Sequence, residues 1–233
     1  MKTIFRFGSW MLILMIASMA ETYAQNTFFP TKAGMVMVIA QKNAKGKTES
    51  YTKQTIKNVE GSGNNMTISY VVEILDKDRK SQANPPVEVP CKVVIKNGVM
   101  ILDMNQMFAG QQKDQQVKME VTGVPMELPE NMQPGQSLKD ANMNMVMDMG
   151  FMKMNMAVKM TDGKCLAIED VTVPAGTFKG YKVTQTVSTT VFGKDVVSRT
   201  TTWYVQGVGS VKSESYDDKN QLQSSSELVE IKS

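Results

Sequence analysis

Asn97-Gly98 lies between Val93-Val94-Ile95-Lys96 and Val99-Met100-Ile101-Leu102, a pattern that commits this stretch to a tight β-hairpin. Both central residues of a type I′ turn need positive φ, which Asn and Gly adopt at least cost. A two-residue turn also fixes register, so Lys96 faces Val99 and Ile95 faces Met100. The same register sets Val93 against Leu102 and Cys91 against Met104, which points Cys91 into the core. Turn chemistry recurs at Asn43-Ala44-Lys45-Gly46, Gly61-Ser62-Gly63, Asp162-Gly163, Gly193-Lys194 and Asp217-Asp218-Lys219-Asn220. Between these turns lie period-two runs at residues 34–40, 48–59, 65–75, 208–216 and 222–231. Only residues 104–110 could form a short helix, and residues 111–116 read as a polar loop. Pro85, Pro86 and Pro90, then Pro125, Pro129 and Pro134, belong at loops or sheet edges, because proline cannot donate to a ladder. About ten strands are expected in one domain over residues 25–233, arranged as a barrel, half-barrel or sandwich.

Residues 1–24 read as a secretory signal peptide. Lys2 and Arg6 supply the basic start, and Trp10-Met11-Leu12-Ile13-Leu14-Met15-Ile16-Ala17 the apolar stretch. That stretch is too short for the ~20 apolar residues that span a bilayer. Cleavage fits best after Thr22-Tyr23-Ala24, and no Cys is placed to take a lipid. The expected product is secreted across the inner membrane into the periplasm or to the cell surface, without a lipid anchor or transmembrane segment.

Across Asp162-Gly163, a hairpin would set Thr161 against Lys164 and Met160 against Cys165. That register then places Glu169 opposite Met156, so it requires a bulge near Leu166 or a strand covered on both faces. In an exported chain, Cys91 and Cys165 could form one disulfide or remain two buried thiols acting as small apolar groups.

The most unusual run is Met143-Asn144-Met145-Val146-Met147-Asp148-Met149, followed by Met152-Lys153-Met154-Asn155-Met156. Alternation puts Met143, Met145, Met147 and Met149 on one face of a strand. Met152, Met154, Met156 and Met160 share a face of the next strand, with Gly150-Phe151 as the junction. The opposite faces carry Asn142, Asn144, Asp148, Lys153, Asn155 and Lys159 and should be solvated. Three readings follow. In one, methionine simply fills a β core; in another, it lines an adaptable surface for an apolar ligand. The third is a soft-metal site in which Met145, Met147, Met154 and Met156 bind Cu(I) through their thioethers.

The chain contains no histidine, which removes Ser–His–Asp and Cys–His catalysis and every His-ligated zinc or haem site. With 26 Lys plus Arg against 23 Asp plus Glu and no basic tract, nothing points to nucleic acid. Asp76 with Asp78, and Asp217 with Asp218, fall in turn-like segments rather than in the cleft that paired catalytic carboxylates need. Gly207-Val208-Gly209 joins strand-like segments and has no following Lys or helix start, so it is no phosphate loop. Trp203 and Tyr204 are the best aromatic anchors, with core packing the simpler role.

Three motifs resemble those of the TapB-like proteins, secreted β-rich envelope proteins that share a domain of unknown function. They are Phe28-Phe29-Pro30-x-x-x-Gly34, Val171-Thr172-Val173-Pro174-Ala175-Gly176-Thr177-Phe178, and Trp203-Tyr204-x-x-Gly207-Val208-Gly209-x-Val211-Lys212. The resemblance implies a twisted antiparallel meander curling into a half-barrel or open barrel, like lipoprotein carriers, and implies no activity. Members often carry Cys where this chain has Gly180. The expectation is an exported, non-enzymatic protein with no cofactor. It would offer its Met-rich face to a lipid, another apolar ligand or an envelope partner, with Cu(I) binding as the alternative.

Overall fold

A computed structural model describes residues 27–82, 86, 88–102, 118–148, 153–191 and 193–233. The expected leader, the short helix over residues 104–110, the polar loop over 111–116 and the Gly150-Phe151 junction lie outside the described residues. The described residues form thirteen strands and no helix. These are β1 (Val36–Asn43), β2 (Thr48–Ser62), β3 (Asn65–Asp76), β4 (Val89–Lys96), β5 (Val99–Leu102), β6 (Lys118–Val124) and β7 (Met126–Pro129), followed by β8 (Ala141–Asp148), β9 (Lys153–Val173), β10 (Gly176–Val191), β11 (Lys194–Val205), β12 (Gly209–Tyr216) and β13 (Leu222–Lys232).

All thirteen join one antiparallel sheet in the order β6-β8-β9-β10-β11-β12-β13-β1-β2-β3-β4-β5-β7. The outermost strands β6 and β7 are separated in sequence by Pro125 alone, so the chain itself carries one edge round to the other. The result is a nearly closed barrel, as the strand pattern and the resemblance both lead one to expect. Residues after β7 lace across the seam. Gly135 N donates to Cys165 O (2.8 Å), Cys165 N to Gln136 O (2.9 Å) and Leu138 N to Gly163 O (2.7 Å).

The Asn97-Gly98 hairpin forms in the expected register, pairing Lys96 with Val99 and Ile95 with Met100, at φ of 51° and 73°. Asn43 and Asp217 organise two other turns. The Asn43 side chain accepts the Lys45 and Lys47 amides, and the Asp217 carboxylate accepts those of Lys219 and Gln221. Two expectations need correction. Val191 pairs with Lys194, so Lys194 belongs to the ladder and is not a turn residue. Asp162-Gly163 is no hairpin, because β9 runs straight through it and pairs on both sides with β10. Positive φ at Asp162 (55°) serves a bulge there instead, and a second register shift leaves Leu166 as the extra residue between Cys165 and Ala167.

Two apolar clusters hold the sheet. One fills the barrel with Phe28, Met35, Ile68, Val93, Leu128 and Met132, together with Cys91, Cys165 and Tyr204. The other gathers Met37, Val171, Val173, Trp203, Val205, Val211 and Leu228. Successive residues of a strand point to opposite faces, so the division of Tyr204 and Trp203 between clusters means that β11 is buried on both sides at this end. The second cluster forms where the Pro174-Ala175 hairpin tip folds across the sheet and Ala175 N donates to Leu228 O (3.2 Å). A β-carbon at Gly180 would lie 2.8 Å from Val171 Cγ1, so Val171 takes the space a cysteine would use here.

Candidate functional site

Strands β8 and β9 pair Ala141 with Met160, Met143 with Val158, Met145 with Met156 and Met147 with Met154. Directly paired residues share a face, so the two alternations predicted from sequence fall on the same side of the sheet. Ala141 belongs to the barrel cluster and Met160 packs against it, which makes this side the inner one. On the next strand Val121 pairs with Met145 and is itself buried. Met145 is 8% exposed, whereas Met143, Met154, Met156 and Met160 are only half-buried. Asn142, Asn144, Asn155 and Lys159 on the other face are exposed, as expected. The Met147 side chain, and Met149 and Met152 altogether, lie outside the described residues. Beyond Met160 the face merges with the barrel core, where Gln185 Nε2 donates to Met160 Sδ (3.9 Å). The face therefore grades from a sealed core to half-open thioethers.

Cys91 and Cys165 are free and buried in the barrel cluster. Burial pushes both thiols up, so they remain protonated at neutral pH and are poor nucleophiles. Tyr70, beside Cys91, is also held well above the usual phenol value, mainly by burial. Among the described residues no group of three or more His, Cys, Asp or Glu is arranged to hold a metal.

The Phe28-Phe29-Pro30 motif, ahead of the first strand, is deeply buried. Phe28 is 1% exposed, with Tyr181 and Tyr204 edge-on at 4.9 and 6.1 Å between ring centroids, and Phe29 lies 5.0 Å from Tyr70. Gly207 N donates to Thr27 O (2.7 Å), which ties this segment to the β11–β12 turn. Beside it lies a half-enclosed cavity of ≈ 200 Å³ lined by Phe28, Phe29, Tyr70, Met100 and Tyr204 among others. The three motifs behind the family resemblance thus converge on one end of the barrel.

Sequence reasoning singled out Trp203 but not its neighbours. Its indole N–H donates to Glu169 Oε1 (2.8 Å), while the ammonium groups of Lys182 and Lys212 stand 5.1 and 4.8 Å from the ring centroid. Glu169 also pairs with Lys182 (3.3 Å), and Glu214 with Lys212 (2.7 Å) and the Tyr216 hydroxyl (2.6 Å). The Trp203 hydrogen bond, then Lys182, holds the Glu169 carboxyl below its usual range. Burial raises Glu214, but Lys212 and Tyr216 outweigh it, and the net shift is downward. The sign for Glu169 is that of a depressed carboxylate. Its contribution to stability is complete above the unfolded value and disappears as pH falls through the lower folded value. We expect Glu169→Gln to lower stability slightly at neutral pH, only slightly because the side chain is 41% exposed, and the difference to vanish in acid, so that the variant's profile is flatter on its acid side. Urea midpoints of both proteins across acidic pH measure this, and parallel profiles would contradict it.

The DUF3108-like family model matches residues 32–228. In fold, the chain is similar to a protein of Bacteroides fragilis NCTC 9343 that is inferred to be exported and has a YmcC-like fold. That match has a TM-score of 0.70 at 21% identity, covering 88% of this chain and 99% of that one. An inferred lipoprotein of Parabacteroides distasonis ATCC 8503 matches with a TM-score of 0.70 at 22% identity, over 88% of this chain and 98% of that one. At such identities the likeness is one of fold. Among curated proteins none matches the chain.

Proposed function

The chain belongs to the DUF3108-like family, and we propose that it is an exported, non-enzymatic binding protein of the cell envelope. In this reading the Met-lined inner face of β8 and β9 receives an apolar ligand, such as a lipid chain, or an apolar segment of an envelope partner. The observation that carries it is the half-burial of Met143, Met154 and Met156, on the same face as the buried Ala141 and the half-buried Met160 that packs on the barrel cluster. Thioether side chains bend and repack at little cost, so a row of them accommodates guests of varied shape. Envelope placement draws on the leader read at residues 1–24 and on the fold relatives inferred to be an exported protein and a lipoprotein. The narrower likeness to TapB-like proteins is part of the same proposal and rests on the three motifs that meet around Tyr204 and Trp203.

The test uses protein recovered from the exported fraction and the apolar probe N-phenyl-1-naphthylamine. Saturable fluorescence enhancement is expected, weakened about tenfold by Met154→Gln with Met156→Gln, since each buried thioether side chain contributes on the order of 1 kcal/mol or more. No enhancement, together with no lipid in the native mass spectrum, would overturn the reading, as would unchanged binding by the double variant.

The register also favours a second reading. Met145 pairs with Met156 and Met147 with Met154, so the register brings these four positions onto neighbouring rungs, and methionine is a donor type suited to Cu(I). Competition against a coloured Cu(I) chelator tests it, with all four replaced by Leu as the comparison. Equal competition by both proteins would exclude the site.

A further inference from the structure

A second site lies on the opposite face of the sheet, over β10, β11 and β12. It is an open cleft of ≈ 420 Å³ lined by Leu166, Thr184, Arg199, Thr201, Glu214 and Tyr216 among others. Three successive rungs build its floor: Lys182–Trp203–Lys212, Thr184–Thr201–Glu214 and Thr186–Arg199–Tyr216. Its size is that of a small-molecule pocket, about 300–1,000 Å³, and polar groups converge on it from three strands.

The cations of this region are not equivalent. Lys182 is neutralised by Glu169 and Lys212 by Glu214. Arg199 has no carboxylate partner among the described residues, and its guanidinium donates to Asn220 Oδ1 at the end of the cleft. A guanidinium offers five N–H donors in a planar fork, so one amide contact leaves most of them available. Next to this positive charge stand the Thr201 hydroxyl and the Glu214 carboxylate, groups that accept and donate to alcohols. Thr184 Oγ1 already donates to Thr200 O (3.1 Å) and retains its accepting lone pairs. The remaining wall is Leu166, the extra residue of the β9 bulge, 45% exposed. Bulges commonly re-aim a side chain beside a functional site, and here the effect is to hold an apolar surface against a polar floor.

We propose that this cleft binds a polyol bearing one oxyanion, with Arg199 on the anion, Thr184, Thr201 and Glu214 on hydroxyls, and Leu166 against the C–H face. A sugar acid and a glycerophosphate headgroup both have this chemistry. Both differ from a neutral sugar in engaging the cation of the cleft that has no carboxylate partner among the described residues, and from inorganic phosphate in using the hydroxyl-binding side. This site is independent of the methionine face.

Trp203 forms part of the floor and reports on it. The sequence has two tryptophans, so the full chain carrying Trp10→Phe has Trp203 as its single indole. We expect saturable fluorescence changes on titration with glucuronate, with sn-glycerol 3-phosphate, or with both, and binding at least about tenfold weaker for glucose and for inorganic phosphate. A response to glucuronate alone identifies a sugar acid, and one to the glycerophosphate alone a headgroup. Arg199→Gln should weaken binding about tenfold and Arg199→Lys should restore part of it, because the point charge survives but the fork does not. Leu166→Asp places a repelling charge in the wall of the cleft and should also abolish binding, which gives a second variant independent of Arg199. Both positions are exposed, and unchanged near-ultraviolet circular dichroism checks the fold. No saturation by either anion at about 10 mM, equal binding of glucose, or full binding by Arg199→Gln would each overturn the proposal.

Discussion

Phe28→Ala should lower the free energy of unfolding by about 3–5 kcal/mol, the usual cost of deleting a fully buried aromatic side chain. The side chain is 1% exposed and packs edge-on against Tyr181 and Tyr204, in the same cluster as Met35 and Val183. It also borders the ≈ 200 Å³ cavity, so truncation enlarges an existing void instead of letting neighbours collapse into it. The readout is a lower urea midpoint at an unchanged denaturant slope. A loss below about 1 kcal/mol would mean that the segment around Phe28 is a loose terminus and not part of the core.

The second large effect is expected at Gly123, in β6 just ahead of the Pro125 corner. Its φ is +121°, a region closed to side-chain-bearing residues, and a β-carbon there would lie 2.1 Å from the carbonyl oxygen of Asn142. That atom belongs to the backbone of β8, which Gly123 joins through its pairing with Met143, so it cannot swing away. Gly123→Ala must therefore either break the β6–β8 ladder or distort it, at a cost of about 3 kcal/mol or more from strain and collision together. Gly46 separates the two contributions. Its φ is also positive (+74°), but nothing lies within 4 Å of the added carbon. Gly46→Ala should thus cost only about 1–2 kcal/mol, and equal losses at the two positions would refute the collision argument. Thermal or urea unfolding of the three proteins decides between these outcomes.

Local chemistry made some of this molecule readable from sequence. Asn97-Gly98 dictates its own conformation, so turn, register and the inward facing of Cys91 could all be worked out from neighbours in sequence. The alternation of Met143 to Met147 likewise announced a shared face, and the β8–β9 register puts it beside the face of Met154 to Met160. Asp162-Gly163 has nearly the same local chemistry as Asn97-Gly98 but a different outcome. The sixteen residues of β10 offer a ladder along both of its flanks, so positive φ becomes a bulge and not a reversal. The Trp203 surroundings were illegible for a related reason. Lys212 reaches the indole through a ladder whose register is shifted by a bulge at Val211, and Glu169 lies a further strand away on β9, so no pairwise spacing in the sequence encodes the group. The depth of Phe28 was hidden because a short aromatic segment ahead of the first strand carries no periodicity to read.

The pairing of β1 with β13 has a bearing on when the molecule can finish folding. Val36 lies opposite Lys232, so this ladder joins the two ends of the domain. Nearly every other neighbouring pair in the sheet is close in sequence and can zip as a hairpin while the rest of the chain is absent. The β1–β13 ladder has to close a loop of almost the whole domain, which makes it the slow, non-local step. A chain threaded across a membrane in extended form would assemble hairpins as they emerge. It could not lock the ring until its last strand had arrived, and would stay uncommitted until then.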